Sequence, residues 1–250
     1  MDKFLHGRTA LVTGSTSGIG LGIACALASA GANVAINGLG SDEQIAQAIA
    51  TVKAAGAGQV RHFGADLRDA QQIAEMMDAI NAWSPLDVLV NNAGTGSVDS
   101  FLDTPVEHWD RVVGVNLKGT FLCAREAARL MVSKGTAGTI INFSSTGALT
   151  GEGPSHYVAS KAGVMGLTRS LARELAPQKI RVNTIVPGPT DTPMMAGIPD
   201  EWMQAMIAAI PLGRLCQPDE VARVVAFMAS DDAGFITGQN ITVNGGSAFI

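Results

Sequence analysis

What this chain has little of narrows its function first. In 250 residues it holds three cysteines, Cys25, Cys123 and Cys216, widely spaced and each in a stretch that reads as helix. That spacing fits neither a zinc site nor a disulfide framework, and it predicts packed, reduced thiols with no metal. Lysine and arginine form no run and the formal net charge is −5, which argues against nucleic acid or an anionic membrane as a main partner. No apolar segment approaches the ~20 residues of a membrane span, and the opening "MDKFLHGRTALVTG" has no signal-peptide pattern. A cytoplasmic location is the natural expectation. Linkers, repeats and low-complexity stretches are missing too, so residues 1–250 read as one domain. Tyrosine is almost absent: Tyr157 is the single one.

What is present is glycine, 29 residues of it, and 47% hydrophobic content. Short apolar runs alternate with longer helical patterns. Strands are predicted at 9–13, 33–36, 60–64, 87–92, 139–144, 181–186 and 240–244, and helices near 18–30, 42–55, 69–82, 107–133, 156–176 and 218–230. Several strands are apolar on successive residues, as in a parallel sheet covered on both faces. The fold class is therefore α/β, a doubly wound Rossmann-type sheet of seven parallel strands flanked by helices. In such a sheet, ligands bind beyond the carboxyl ends of the strands, where strand order reverses. The unusual residues cluster there: "GSTSGIG" follows the first strand, "GADL" the third, "NNAG" the fourth, "SSTGAL" the fifth and "PGPTDTP" the sixth. Any one of these is an ordinary turn; five on one edge are not.

In the first of these turns Gly14 is placed for a sharp exit from the strand, Gly18 for close approach of a pyrophosphate, and Gly20 for close packing of the helix on the sheet. The helix that starts here points free N–H groups and its positive dipole end at a phosphate. In "YVASKAG" (157–163), Tyr157 and Lys161 stand four apart and share a helix face. Together with "TGSTSGIG", "NNAG", a serine pair ahead of the tyrosine and "PGPTDTPM", this sequence resembles the short-chain dehydrogenase/reductase family from about residue 5 to its C-terminus. The N-terminal half, through "INGLG", is most similar to bacterial 3-hydroxybutyrate dehydrogenases. The likeness fades at the substrate end, where those enzymes carry a glutamine and a histidine and this chain has "TGSV" and "TGALTGEGPS".

The resemblance implies an NAD(P)-dependent oxidoreductase that interconverts a secondary alcohol and its ketone, with Tyr157 as proton donor or acceptor and Lys161 holding the nicotinamide ribose. A free phenol has a pKa near ~10, and an ammonium on the same face, together with an oxidised nicotinamide, is expected to favour the phenolate. Asn116, in "VNLKGTF", matches the family's asparagine that orders a proton-relay water. For the catalytic serine, strand phase selects Ser145 and counting back from Tyr157 selects Ser144; strand phase is preferred, because a loop absorbs a deletion more easily. By the same resemblance the cofactor is bordered by Gly14, Ser15, Thr16, Ser17, Gly18, Ile19 and Gly20, by Gly38, by Asp66 and Leu67 at the adenine, and by Asn92, Ala93 and Gly94 at the ribose. Tyr157, Lys161, Pro187, Gly188, Thr190 and Thr192 complete the set.

NAD is preferred to NADP, which stays open, because Gly38 stands where an acid usually sits and "INGLGSDE" brings no cation to bind a 2′-phosphate. A substrate loop is expected at about 189–215, in which Trp202, Met203, Met206 and Ile207 form a lid or pack on the core. No Lys, Arg or His lies between Arg181 and Arg214, and segments 95–100 and 146–156 offer His156 as their one possible cation. Uncharged ketones are therefore expected to outperform small keto acids. A 3-oxoacyl-carrier-protein reductase is the alternative enzyme reading, with Lys134 and Arg173 as candidates for a carrier-docking patch, and 3-hydroxybutyrate dehydrogenase is another. A dinucleotide sensor without catalysis has no need of the intact Tyr157, Lys161 and serine. The family implies a homotetramer paired through the two long helices and the last strand.

Overall fold

The structure is a computed structural model that describes residues 3–56 and 58–249. Seven parallel strands run β1 (Thr9–Val12), β2 (Asn33–Ile36), β3 (Val60–His62), β4 (Val88–Asn91), β5 (Gly138–Phe143), β6 (Ile180–Pro187) and β7 (Asn240–Val243). Their order in the sheet is β3-β2-β1-β4-β5-β6-β7. Strand order thus reverses between β1 and β4, which opens a crevice at the carboxyl edge. The helices are α1 (Gly18–Ser29), α2 (Asp42–Ala54), α3 (Ala70–Trp83), α4 (Val106–Val113), α5 (Thr120–Lys134), α6 (Gly147–Thr150), α7 (Ser155–Leu175), α8 (Asp200–Ala208) and α9 (Pro218–Ala229).

Neighbouring strand residues serve opposite cores. Val12, Val34, Val90 and Ile141 pack with Ile23 and Leu27 of α1 and with Val225 and Met228 of α9. Leu11, Ala35, Leu89 and Ile140 meet Ile73 and Met77 of α3 and Ala127 and Met131 of α5 on the other face. Because side chains alternate across a strand, a layer of helices on each side demands apolar residues at every position. The edge strands β3 and β7 are only partly buried, and β3 stops at His62, short of the predicted Gly64.

Two readings are corrected, and a third, left open between lid and core, is narrowed. The helix expected at 107–133 is interrupted by a π-helical turn at Gly114–Gly119. Gly119 allows it: a Cβ there would lie 2.8 Å from the Leu67 carbonyl oxygen, and the Thr120 hydroxyl donates to the Asn116 carbonyl at 2.7 Å. Cys216 is not helical but forms an isolated parallel bridge with Thr190; all three cysteines are free thiols. Finally, the apolar spacing at 202–207 belongs to a helix, α8, whose residues are all exposed or half-buried. It does not pack into the core. Among the described residues, no helix is long and apolar enough to cross a membrane.

Candidate active site

A cavity of about 970 Å³ opens at the carboxyl edge of the sheet, beneath the segment that carries α8. Its floor is the glycine turn. Gly14 has φ +63, and a Cβ there would lie 2.8 Å from Ala93 Cα. Gly18 has φ +55 and faces Thr192 at ordinary contact distance. A Cβ on Gly20 would run into the Gly14 carbonyl oxygen and reach 2.5 Å from Asn92 Nδ2. Asn92 in turn donates to the carbonyls of Thr13 at 3.0 Å and Gly14 at 3.1 Å. Helix α1 begins here with no side-chain cap among the described residues and no acid in its first turn, so its first amides are left for an anion.

Most of the predicted cofactor residues line this cavity: Gly14, Thr16 to Gly20, Gly38, Asp66, Leu67, Asn92 to Gly94, Tyr157, Lys161, Pro187, Gly188, Thr190 and Thr192. Ser15 does not. Its fully buried hydroxyl donates to the Val12 carbonyl at 2.7 Å and accepts from the Asn37 amide at 3.1 Å, so it ties the turn to the end of β2.

Tyr157 and Lys161 project from the first turns of α7. The Lys161 Nζ donates to the Phe143 carbonyl at 2.9 Å and lies 5.9 Å from the centre of the Tyr157 ring. Burial pushes the lysine down to about 8. Among the protein's own groups, burial raises the Tyr157 pKa, and the hydrogen bond with Ser145 works the other way. Desolvation disfavours both charged forms.

Both serines border the cavity, but they do different things. Ser144 turns its buried hydroxyl into α7, donating to the Lys161 carbonyl at 2.8 Å. Ser145 is half-buried, accepts from the Gly147 amide at 3.3 Å and is the hydroxyl that touches Tyr157. Asn116 sits behind the wall in the π turn. Its amide donates to the Thr95 carbonyl at 2.9 Å and to the Ser160 hydroxyl at 3.1 Å, while its oxygen accepts from the Thr95 amide at 2.8 Å. It therefore fixes the loop that follows β4.

The cations at the cavity differ from those expected. His156 is wholly buried behind the wall, on Ser97. Arg111 does line the cavity, with Nη1 donating to the Thr95 hydroxyl at 3.1 Å and the Gly96 carbonyl at 3.4 Å. Arg68 lines it too, its guanidinium closed onto Asp66 and holding that carboxyl below its ordinary value. Arg111 and Val115, both on the wall, are one helical turn apart and lead to Asn116; that spacing was the available signal. Glu152, Met195, Ile198 and Met206 complete the wall opposite.

A phosphate cradle, a phenol, a hydroxyl and a buried amine thus share one crevice. Residues 14–248 match a family model described as enoyl-(acyl carrier protein) reductase. The chain is 43% identical over 241 residues to a 3-oxoacyl-[acyl-carrier-protein] reductase of Staphylococcus aureus, covering 96% of this chain and 97% of that one. It belongs to the short-chain dehydrogenase/reductase family. It is also 40% identical over 250 residues to a (3R)-3-hydroxyacyl-CoA dehydrogenase of Mus musculus, covering 97% of this chain and 96% of the relative. A D-beta-hydroxybutyrate dehydrogenase of Rhizobium meliloti is 39% identical over 253 residues, with 96% and 98% covered. A crystal structure of a short-chain type dehydrogenase/reductase from Mycobacterium marinum superposes with TM-score 0.94 at 35% identity, covering 100% of this chain and 99% of that one. The protein is an NAD(P)-dependent oxidoreductase acting on secondary alcohols and ketones.

Proposed function

We propose that Tyr157 exchanges a proton with the substrate oxygen, Ser145 donates a hydrogen bond to that oxygen as it gains charge, and Lys161 holds the cofactor ribose. The observation that carries this reading is the convergence of Tyr157, Ser145 and Lys161 on the cavity floored by the glycine turn. A dinucleotide fits that floor, since the two backbones approach where Cβ atoms would collide and open amides face the pyrophosphate position. The residues that would hold it are Gly14, Thr16 to Gly20, Gly38, Asp66, Leu67, Asn92 to Gly94, Pro187, Gly188, Thr190 and Thr192. When bound, the nicotinamide supplies or accepts the hydride. Asn116 acts through the Thr95 loop. Segment 189–215 serves as the substrate lid, as its exposed α8 and the cavity-lining Met206 suit a flap that closes over substrate.

The cofactor is NAD in this reading. Arg68 is held by the Asp66 carboxylate through both Nε and Nη2, and so is poorly placed to accept a 2′-phosphate. Wild-type kcat/KM should be higher with NADH than with NADPH. An acid at position 38 should strengthen that preference only if Thr16 is cut back, because a Cβ on Gly38 would lie 2.7 Å from Thr16 Oγ1 and 2.9 Å from its Cγ2. Gly38→Asp alone is expected to weaken both cofactors, and Thr16→Ala/Gly38→Asp to recover NADH alone. An enzyme that prefers NADPH and loses that preference in Arg68→Ala would refute the assignment.

The substrate is an uncharged ketone or alcohol. Glu152 repels a carboxylate, Lys161 is engaged with the Phe143 carbonyl, and Arg111 already serves Thr95 and Gly96. Leaving an anion unpaired in such a site costs several kcal/mol. Neutral ketones should therefore exceed acetoacetate in kcat/KM by at least about tenfold. A preference for acetoacetate that vanishes in Arg111→Met would reverse the conclusion. Carrier-linked acyl groups, 3-oxoacyl in the name of one relative and 3-hydroxyacyl in that of another, are neutral at the reacting end and form the second reading. Of the two cations considered for carrier docking, Lys134 pairs with Asp87 at 3.1 Å, and Arg173 is exposed. A cytoplasmic homotetramer is the expected working form; apolar side chains exposed on α4, α5 and α9 (Trp109, Phe121, Phe227) suit helix pairing.

A further inference from the structure

Behind the cavity wall runs a chain of polar side chains that the chemistry above does not use. His156, the residue before Tyr157, is completely buried. Its Nε2 lies 2.6 Å from the Ser97 hydroxyl, and its Nδ1 has no partner among the described residues. Ser97 itself lines the cavity, beside Gly96, where a Cβ would lie 3.8 Å from the Tyr157 ring. On the far side, Asp99 pairs with His108 Nδ1 at 2.7 Å. Ser97, and after it His108, hold the Asp99 carboxyl below its usual value.

The donor inventory limits the proton positions. Across 2.6 Å one proton joins Ser97 and Nε2, carried by the hydroxyl or by the ring. Either tautomer leaves Nδ1 buried without a partner among the described residues. In both arrangements the Ser97 oxygen keeps a lone pair that the imidazole does not use, and the residue borders the cavity. A buried imidazole with one orphaned nitrogen is a destabilising arrangement, and holding that lone pair in place gives it a purpose.

We propose that Ser97 is a specificity residue that accepts a hydrogen bond from a donor on the non-reacting arm of the substrate, a hydroxyl or an amide N–H, with His156 as its positioning residue. The proposal rests on the ketone-reductase reading and names the substrate feature within it. The test compares hydroxyacetone with butanone, in which a methyl replaces the hydroxyl, and the homologous pair one methylene longer. Wild type should prefer the hydroxylated member of at least one pair. Ser97→Ala should lower that preference by at least about tenfold, the size of one lost hydrogen bond. His156→Leu should lower it likewise, and His156→Gln, which keeps a donor near the Nε2 position, should restore much of it. Equal losses for both members of a pair, or no preference in wild type, would overturn the proposal. Should His156→Leu fail to fold, the Ser97→Ala ratio decides alone. Wild type that reduces none of the four ketones with either cofactor would remove the underlying reading and this one with it, whereas turnover without a hydroxyl preference removes this one only.

Discussion

Tyr157→Phe is expected to lower kcat by at least about a hundredfold, and up to ten-thousandfold, while cofactor binding measured by fluorescence stays near wild type. The substitution removes only the phenolic oxygen, and the half-buried ring keeps its place beside Gly96. Because burial raises the phenol's pKa, the protonated form persists through neutral pH. Ketone reduction should therefore be flat in that range, and alcohol oxidation, which needs the phenolate, should climb as pH rises. The serines give the companion result. Ser145→Ala should cost about a hundredfold or more in kcat, as removal of a preorganised donor does. Ser144→Ala should act mainly on stability, by about 1 kcal/mol, since its hydroxyl serves the Lys161 carbonyl. A Tyr157→Phe enzyme that keeps more than a tenth or so of its rate would end the proposed proton transfer. A larger loss from Ser144→Ala would return the catalytic role to that residue.

Gly20→Ala should be the most damaging substitution in the glycine turn. Its Cβ would collide with the Gly14 carbonyl and the Asn92 side chain, and the first of these is backbone that cannot rotate away. Overpacking of this kind costs about 1–3 kcal/mol, which for a chain of this size lowers the Tm by several degrees, at roughly 2–4 °C per kcal/mol. The displaced first turn of α1 should also weaken NADH binding. Gly18→Ala differs: its neighbours lie at 3.6 Å and beyond, so only the strain of φ +55 acts on the apo protein, about 1 kcal/mol. Its effect should appear chiefly in the cofactor dissociation constant, where a methyl blocks the approach of the pyrophosphate. Thermal melts and NADH titrations of the two variants separate these effects; equal melts would mean that the turn relaxes around position 20.

The sequence by itself determined the strand and helix alternation, because a parallel sheet between two helical layers writes an apolar residue at nearly every strand position. It also determined the glycine turn and the shared face of Tyr157 and Lys161, both of which follow from local geometry. Strand phase pointed to Ser145, and the contrast between a hydroxyl turned into α7 and one facing Tyr157 has the same origin. Other features lay beyond local pattern. The π turn that breaks 107–133 arises from close contact with the Leu67 carbonyl, a neighbour 52 residues away by numbering (119 − 67). Ser15 has the right position for the cofactor, but burial against Asn37 directs it elsewhere. The sign of the Tyr157 shift depends on how completely the tertiary fold strips water from the phenol and the amine together. The site's charges lay furthest beyond local pattern. The segments flanking the pocket in sequence contain His156, which the fold hides, whereas Arg111 and Arg68 reach the cavity from a helix and a loop whose placement only the packed sheet decides.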